Sequence, residues 1–98
     1  MREGLVKATK GLIRAEVKVR NNTIVDVRIS GDFFIYPEEA LWEIEKRLVG
    51  VKLSREEILK VIRDVFNKFN VQAPMVKIED FVEAIMRGAS NEVESHTS

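Results

Sequence analysis

The sequence predicts a small α+β domain in which a β-hairpin packs against three α-helices. Three observations carry that prediction. Two stretches near the N-terminus alternate apolar and polar residues with period two, on either side of an Asn-Asn turn signal. Three later segments repeat apolar residues at helical spacing. Pro37, Gly50, Ser54 and Gly88 fall where those helical segments should start or stop.

The first strand occupies residues 11–20. Gly11, Ile13, Ala15, Val17 and Val19 point one way, and Arg14, Glu16, Lys18 and Arg20 the other, as in a half-buried strand. Asn21-Asn22-Thr23 is a turn, because Asn tolerates positive φ. In residues 24–30, Val25, Val27 and Ile29 are expected inward, with Asp26, Arg28 and Ser30 outward. Leu5 to Ala8 either extend the first strand or form a short strand of their own, and Gly11 would permit a bulge between them.

Gly31-Asp32-Phe33-Phe34 closes the hairpin just before the first helix. Gly permits backbone angles that other residues avoid, and Asp bonds nearby backbone N–H groups. A shaped loop therefore holds two rings at a junction, and either the core or a partner must cover them. Asp32 is expected to fix this loop rather than to touch a substrate.

Pro37 suits a first helical position, Glu38 and Glu39 complement the N-terminal dipole, and Gly50 suits the stop. Leu41, Ile44 and Leu48 form the apolar stripe of this helix, with Trp42 and Val49 roughly 100° around the wheel. Glu45 projects between those groups, either as a carboxylate reaching outward from the edge of the buried face or as a polar contact inside an interface. In the second helix Ser54 and Glu57 form a capping box, Leu53 can staple onto Ile58, and Ile58, Val61, Ile62, Val65 and Phe69 keep helical spacing. Residues 70–76, with Pro74, read as a connection. The third helix, about 78–87, carries Ile78, Phe81, Val82 and Ile85 and is expected to stop at Gly88, although Lys77 stands where a capping side chain would be. Residues 1–88 thus form one domain, and the polar residues 89–98 are expected to be a disordered tail.

Composition bounds the function. The chain has 98 residues, 16 basic and 16 acidic, so its formal net charge is zero. Nucleic-acid binders usually carry a basic excess, so no nucleic-acid partner is expected. No apolar run reaches the ~20 residues of a membrane span, and the N-terminus lacks a signal-peptide core. With no cysteine, disulfides and thiolate chemistry are excluded. A cytoplasmic location follows by default.

No catalytic constellation stands out. The single histidine, His96, is third from the end, and no phosphate loop of the G-x-x-x-x-G-K type is present. Glu38/Glu39 and Glu56/Glu57 lie in first helical turns, where carboxylates serve the dipole. Lys7 and Lys10 flank Ala8-Thr9 just before Gly11; such a pair beside a glycine could hold a phosphate or carboxylate, or could simply be a solvated strand end. The residues alone give a non-catalytic binding domain with a Phe-Phe corner.

Lys7-Ala8-Thr9-Lys10-Gly11-Leu12-Ile13, the hairpin, Gly31-Asp32-Phe33-Phe34, Pro37 opening a helix that ends in Leu48-Val49-Gly50, and Glu79-Asp80-Phe81 in the last helix together resemble the C-terminal accessory domain of lipoate–protein ligases. The resemblance covers about residues 4–88. In that family a larger domain binds lipoate and ATP, makes lipoyl-AMP, and transfers the lipoyl group to a lysine of an acceptor protein. Because Met1 opens directly on the accessory pattern, the resemblance implies the separate small subunit of a bipartite ligase; an excised fragment of a fused enzyme is the other explanation.

Several expectations follow from the resemblance. The chain would form a heterodimer with the large catalytic subunit and reach lipoyl-domain acceptor proteins only indirectly. It would support activation of lipoate more than transfer from preformed lipoyl-AMP. ATP, Mg and lipoate would sit at the partner, with no cofactor bound by this chain alone. No catalytic residue or metal ligand is assigned to it. Phe33 and Phe34, with Trp42, would anchor docking, the two phenylalanines dividing between core and interface. Lys7 or Lys10 would face the active-site opening, and Gly11, Gly31 and Asp32 are further candidates for the surface that faces the partner or the active site. The alternative is an autonomous interaction module that uses the hairpin edge and the Phe-Phe corner, unrelated to lipoate.

Overall fold

The computed structural model describes the backbone of residues 3–8 and 11–97 and the side chains of residues 13–89. Its elements run β1 (Glu3–Ala8), β2 (Gly11–Arg20), β3 (Thr23–Gly31), α1 (Glu39–Leu48), α2 (Arg55–Lys68) and α3 (Ile78–Thr97). The strands form one antiparallel sheet in the order β1-β2-β3. The architecture is the predicted α+β. Residues 3–8 are a strand of their own, paired with β2 from Glu3↔Glu16 to Ala8↔Gly11.

The β2–β3 turn is built by Asn21 and Asn22, at φ 51° and 61°. Positive φ at both central residues is what a two-residue hairpin turn requires to match strand twist. The register Arg20↔Thr23 follows directly. One side of the sheet then collects Ile13, Ala15, Val17, Val27 and Ile29, all buried. The other side pairs charges across strands, Glu16↔Arg28 and Lys18↔Asp26, the arrangement that suits a wet face.

One phase change departs from the predicted alternation. Lys18 pairs with Asp26 and Val19 with Ile24, which leaves Val25 as the extra residue of a bulge. Ile24 is therefore fully buried while Val25 is exposed, the reverse of the alternation expected for residues 24 and 25.

All three helices cover the apolar side. α1 packs along β3, α3 packs across β1 and β2, and α2 lies against α1 and α3. Ile44 and Leu48 of α1, Ile58, Ile62 and Val65 of α2, and Phe81, Val82 and Ile85 of α3 close one core with the sheet.

Helix ends depart from the sequence reading in four places. α1 begins at Glu39, two residues after Pro37, and the Ala40 and Leu41 N–H groups bond back to the Pro37 and Glu38 carbonyls. Ser54 is the N-cap of α2, but its side chain makes no capping hydrogen bond, so the capping box is not formed. At α3 the Lys77 N–H donates to Asp80 Oδ2 at 2.8 Å, so the third helical residue reaches back to cap where the side chain of residue 77 cannot. α3 also continues through Gly88 to Thr97 instead of stopping at Gly88. Gly88 and Ala89 are buried, and burying them in the core offsets the roughly 1 kcal/mol that a mid-helix glycine costs. The backbone of α3 thus runs into the residues that the sequence reading places in a polar tail.

Candidate functional site

β3 leaves the sheet at Gly31, whose φ of 147° lies in a region that a side chain disfavours. The chain then crosses to α1 through residues 32–38. The Tyr36 N–H donates to the Gln72 carbonyl and the Gln72 N–H to the Tyr36 carbonyl, both at 2.8 Å, which pins this crossing to the α2–α3 connection. The two phenylalanines therefore emerge from a fixed backbone and part. Phe33 turns inward and meets Phe81 edge-on, with ring centroids 5.4 Å apart at 86°. Phe34 turns outward and is 61% exposed.

Outside the core, the end of β3, the crossing and α1 enclose a groove of about 340 Å³. Its lining includes Phe33, Phe34, Ile35, Leu41 and Trp42, with Glu38 as its one charged residue. Trp42 is 65% exposed, so its ring belongs to the groove and not to the core stripe of α1. Tyr36, also exposed, stands on the same crossing. An exposed cluster of large aromatic side chains rimmed by polar residues marks an interaction surface.

Glu45 sets one edge of this region. Its Oε2 accepts a hydrogen bond from the Ile29 N–H at 2.7 Å. It neither reaches outward nor waits for a partner, the two readings of the sequence. It occupies an otherwise open N–H on the edge of β3, a side-chain answer to the edge-strand problem. Further along that edge the Ile24 N–H donates to the Val51 carbonyl and the Gly50 N–H to the Ile24 carbonyl, so the α1–α2 connection covers the strand there.

The other expected site residues fall as follows. Gly31 lines the groove. Asp32 is exposed and accepts no hydrogen bond among the described residues, so the loop-fixing role expected of it is carried by the Tyr36–Gln72 pairing. Gly11 pairs with Ala8, and Lys7 stands opposite Leu12 in the β1–β2 register; the side chain of Lys7 and all of Lys10 lie outside the described residues. In the sequence Glu38 and Leu41 read as a dipole partner and a core residue rather than as site residues, and Tyr36 is not singled out. The spacing of Glu38 and Trp42, one helical turn apart, is the signal that would have found the first of them. Among the described residues, no group of three or more His, Cys, Asp or Glu side chains could hold a metal ion, and no helix is long and apolar enough to cross a membrane.

Carboxylates elsewhere are held by arginines. Arg55 donates to Glu83 at 2.8 Å and Arg87 lies 3.4 Å from it, which keeps the Glu83 carboxyl below its ordinary range. Glu43 is lowered in the same way by Arg47, one turn along α1. These are surface ion pairs: Arg55–Glu83 ties α2 to α3, while Glu43–Arg47 and Glu83–Arg87 each lie within one helix.

Comparison with known proteins gives a consistent picture. The family described as the bacterial lipoate protein ligase C-terminus matches residues 5–85. Lipoate-protein ligase A subunit 2 of Thermoplasma acidophilum is 43% identical over 79 residues, which cover 81% of each chain. A solved structure from a study of an archaeal lipoylation system, a bi-partite lipoate protein ligase and its E2 lipoyl domain from Thermoplasma acidophilum, superimposes with a TM-score of 0.77 at 41% identity, covering 86% of this chain and 93% of that one.

Proposed function

The chain belongs to the lipoate protein ligase C-terminal family, and from that membership we propose that it is the non-catalytic small subunit of a two-part lipoate–protein ligase. The observation that carries this reading is the extent of the match to a protein that is itself named as a second subunit, 81% of each chain at 43% identity. The fold agrees over 93% of the structural relative.

In this reading the large subunit binds ATP, Mg and lipoate. A carboxylate oxygen of lipoate attacks the α-phosphorus of ATP, pyrophosphate leaves, and lipoyl-AMP forms. The amine of an acceptor lysine on a lipoyl-domain protein then attacks the lipoyl carbonyl and AMP leaves. The small subunit contributes position: docked against the large subunit, it orders loops and excludes water during the first step, where placement and charge stabilisation supply most of the gain. The Phe34–Trp42 groove supports this role, because exposed aromatic rings on a rigid frame are the usual anchors of an interface. The compartment proposed is the cytoplasm, where ATP is available and a chain without cysteine is at home.

Lipoate- and ATP-dependent formation of lipoyl-AMP by the large subunit, with and without this chain, tests the proposal. Activation that depends on the chain supports it, together with near-equal transfer from preformed lipoyl-AMP in both arms. Full activation by the large subunit alone would overturn it and bring forward the autonomous interaction module.

A further inference from the structure

We propose that the Phe34–Trp42 groove receives a basic-apolar segment of the large subunit: an Arg or Lys side chain laid over Trp42, with an adjacent apolar side chain entering between Phe34 and Leu41. The inference rests on the small-subunit reading and adds the chemistry of the surface that docks.

The argument starts from charge placement. The whole chain is neutral, yet residues 29–42, which span the groove lining, contain three acidic side chains, Asp32, Glu38 and Glu39, and no Lys or Arg. The next two carboxylates along α1 lie outside the lining and are used within the chain, Glu43 by Arg47 and Glu45 by the Ile29 N–H. Asp32, Glu38 and Glu39 are exposed and have no ion-pair partner among the described residues. Glu38 stands on the groove wall itself, beside Trp42. An electron-rich indole face with a carboxylate one turn away is the arrangement that attracts a cation, by the ring quadrupole and by direct charge.

The same placement rejects other occupants. A second copy of the chain docked groove to groove would bring these carboxylates against one another, and like charges facing across an interface are unfavourable. Nucleic-acid phosphates and anionic lipid headgroups would meet the same negative rim. A purely apolar segment would leave the three carboxylates without a counter-charge. A protein segment that carries both an apolar anchor and a cation satisfies the rings and the rim together.

The test is binding of this chain to the purified large subunit of the same organism, by calorimetry at low and at high salt, with lipoyl-AMP formation followed in parallel. Trp42→Ala should weaken binding about tenfold or more, as expected for a central aromatic anchor. Glu38→Lys should weaken it by a similar factor at low salt, and Glu38→Gln should flatten the salt dependence seen with the unaltered chain. Lys60→Glu, an exposed change on α2, should bind as the unaltered chain does. Trp42 and Glu38 are exposed, so retained helical circular dichroism will separate lost docking from lost folding. If the unaltered chain binds and activates while Trp42→Ala and Glu38→Lys bind equally well, this inference fails and the small-subunit reading stands. If the unaltered chain neither binds nor activates, both fail.

Discussion

Phe33 and Phe34 are adjacent in sequence and opposite in environment. Phe33 packs edge-on against the fully buried Phe81, which also meets Phe66 at 6.0 Å, so it belongs to a chain of rings that joins the loop, α2 and α3. Phe34 leaves 61% of its surface in solvent and shares a groove with Trp42. Adjacent side chains in this crossing point apart, so a single dipeptide serves the core and the surface at once. The junction is therefore a rigid mount for an exposed ring: the inner phenylalanine fixes the position from which the outer one projects.

The comparison predicts a clean division of labour. Phe33→Ala should destabilise the domain by about 2–4 kcal/mol, from lost burial and the lost edge-to-face contact. Phe34→Ala should change stability by no more than about 0.5 kcal/mol, as for a surface position. Urea denaturation of the two variants measures both numbers. Binding to the large subunit should sort the other way: Phe34→Ala should weaken it in a domain that remains fully folded. Equal destabilisation by both substitutions would break the comparison and make Phe34 a second core residue.

Glu45→Ala sharpens the comparison from the side of the sheet. Ile29 lines the groove, and its N–H is held by the Glu45 carboxylate. Removing that acceptor should cost about 1.5–3 kcal/mol, the range for a lost hydrogen bond to a charged group. It also reopens part of the β3 edge, so concentration-dependent association should appear in sedimentation velocity. Glu45→Gln keeps an acceptor and should be closer to the unaltered chain in both measurements.

Gly50 offers a smaller and purer effect at the far end of α1. Its φ is +91°, and a Cβ added there would meet nothing within 4 Å. Gly50→Ala is thus a test of backbone strain without a clash, with an expected loss of about 1 kcal/mol. Because it lies away from the groove, binding to the large subunit should not change. A loss of binding would show that the groove depends on how α1 ends as well as on how it begins.

The parts of this architecture that were legible in the sequence are those fixed by local chemistry. Asn21-Asn22 announced the turn, the period-two runs announced β2 and β3, and Ile58, Ile62 and Val65 announced the buried stripe of α2. What escaped was set by partners distant in sequence. The bulge that turns Ile24 inward depends on pairing with Val19. The passage of α3 through Gly88 depends on burial of residues 88 and 89. The task of Glu45 depends on an N–H sixteen positions away. At the groove, Gly31-Asp32-Phe33-Phe34 marked a shaped junction and Trp42 stood off the core stripe. Only the tertiary contact with Phe81 decides which phenylalanine is the inner one, and only the Tyr36–Gln72 pairing shows that the loop is held without Asp32.

The smallest expected effect lies outside the groove lining and supplies its control. Arg55, across the α2–α3 contact, and Arg87, one turn along α3, hold Glu83 below the usual carboxylate range. A carboxyl whose folded pKa is depressed adds stability above its unfolded value, here near 4.5, and loses it as pH falls through the lower folded value. Stability measured from pH 7 down to 3 should therefore decline less steeply in Glu83→Gln than in the unaltered chain below about pH 4.5. The difference should be slight, because side chains this exposed are screened by solvent. At neutral pH the same substitution should leave docking unchanged: the ion pair joins α2 to α3, and neither of its residues lines the groove. A docking defect in Glu83→Gln would mean that the large subunit reads the α2–α3 face, and the division between an inner ring that folds the domain and an outer ring that docks it would have to be redrawn.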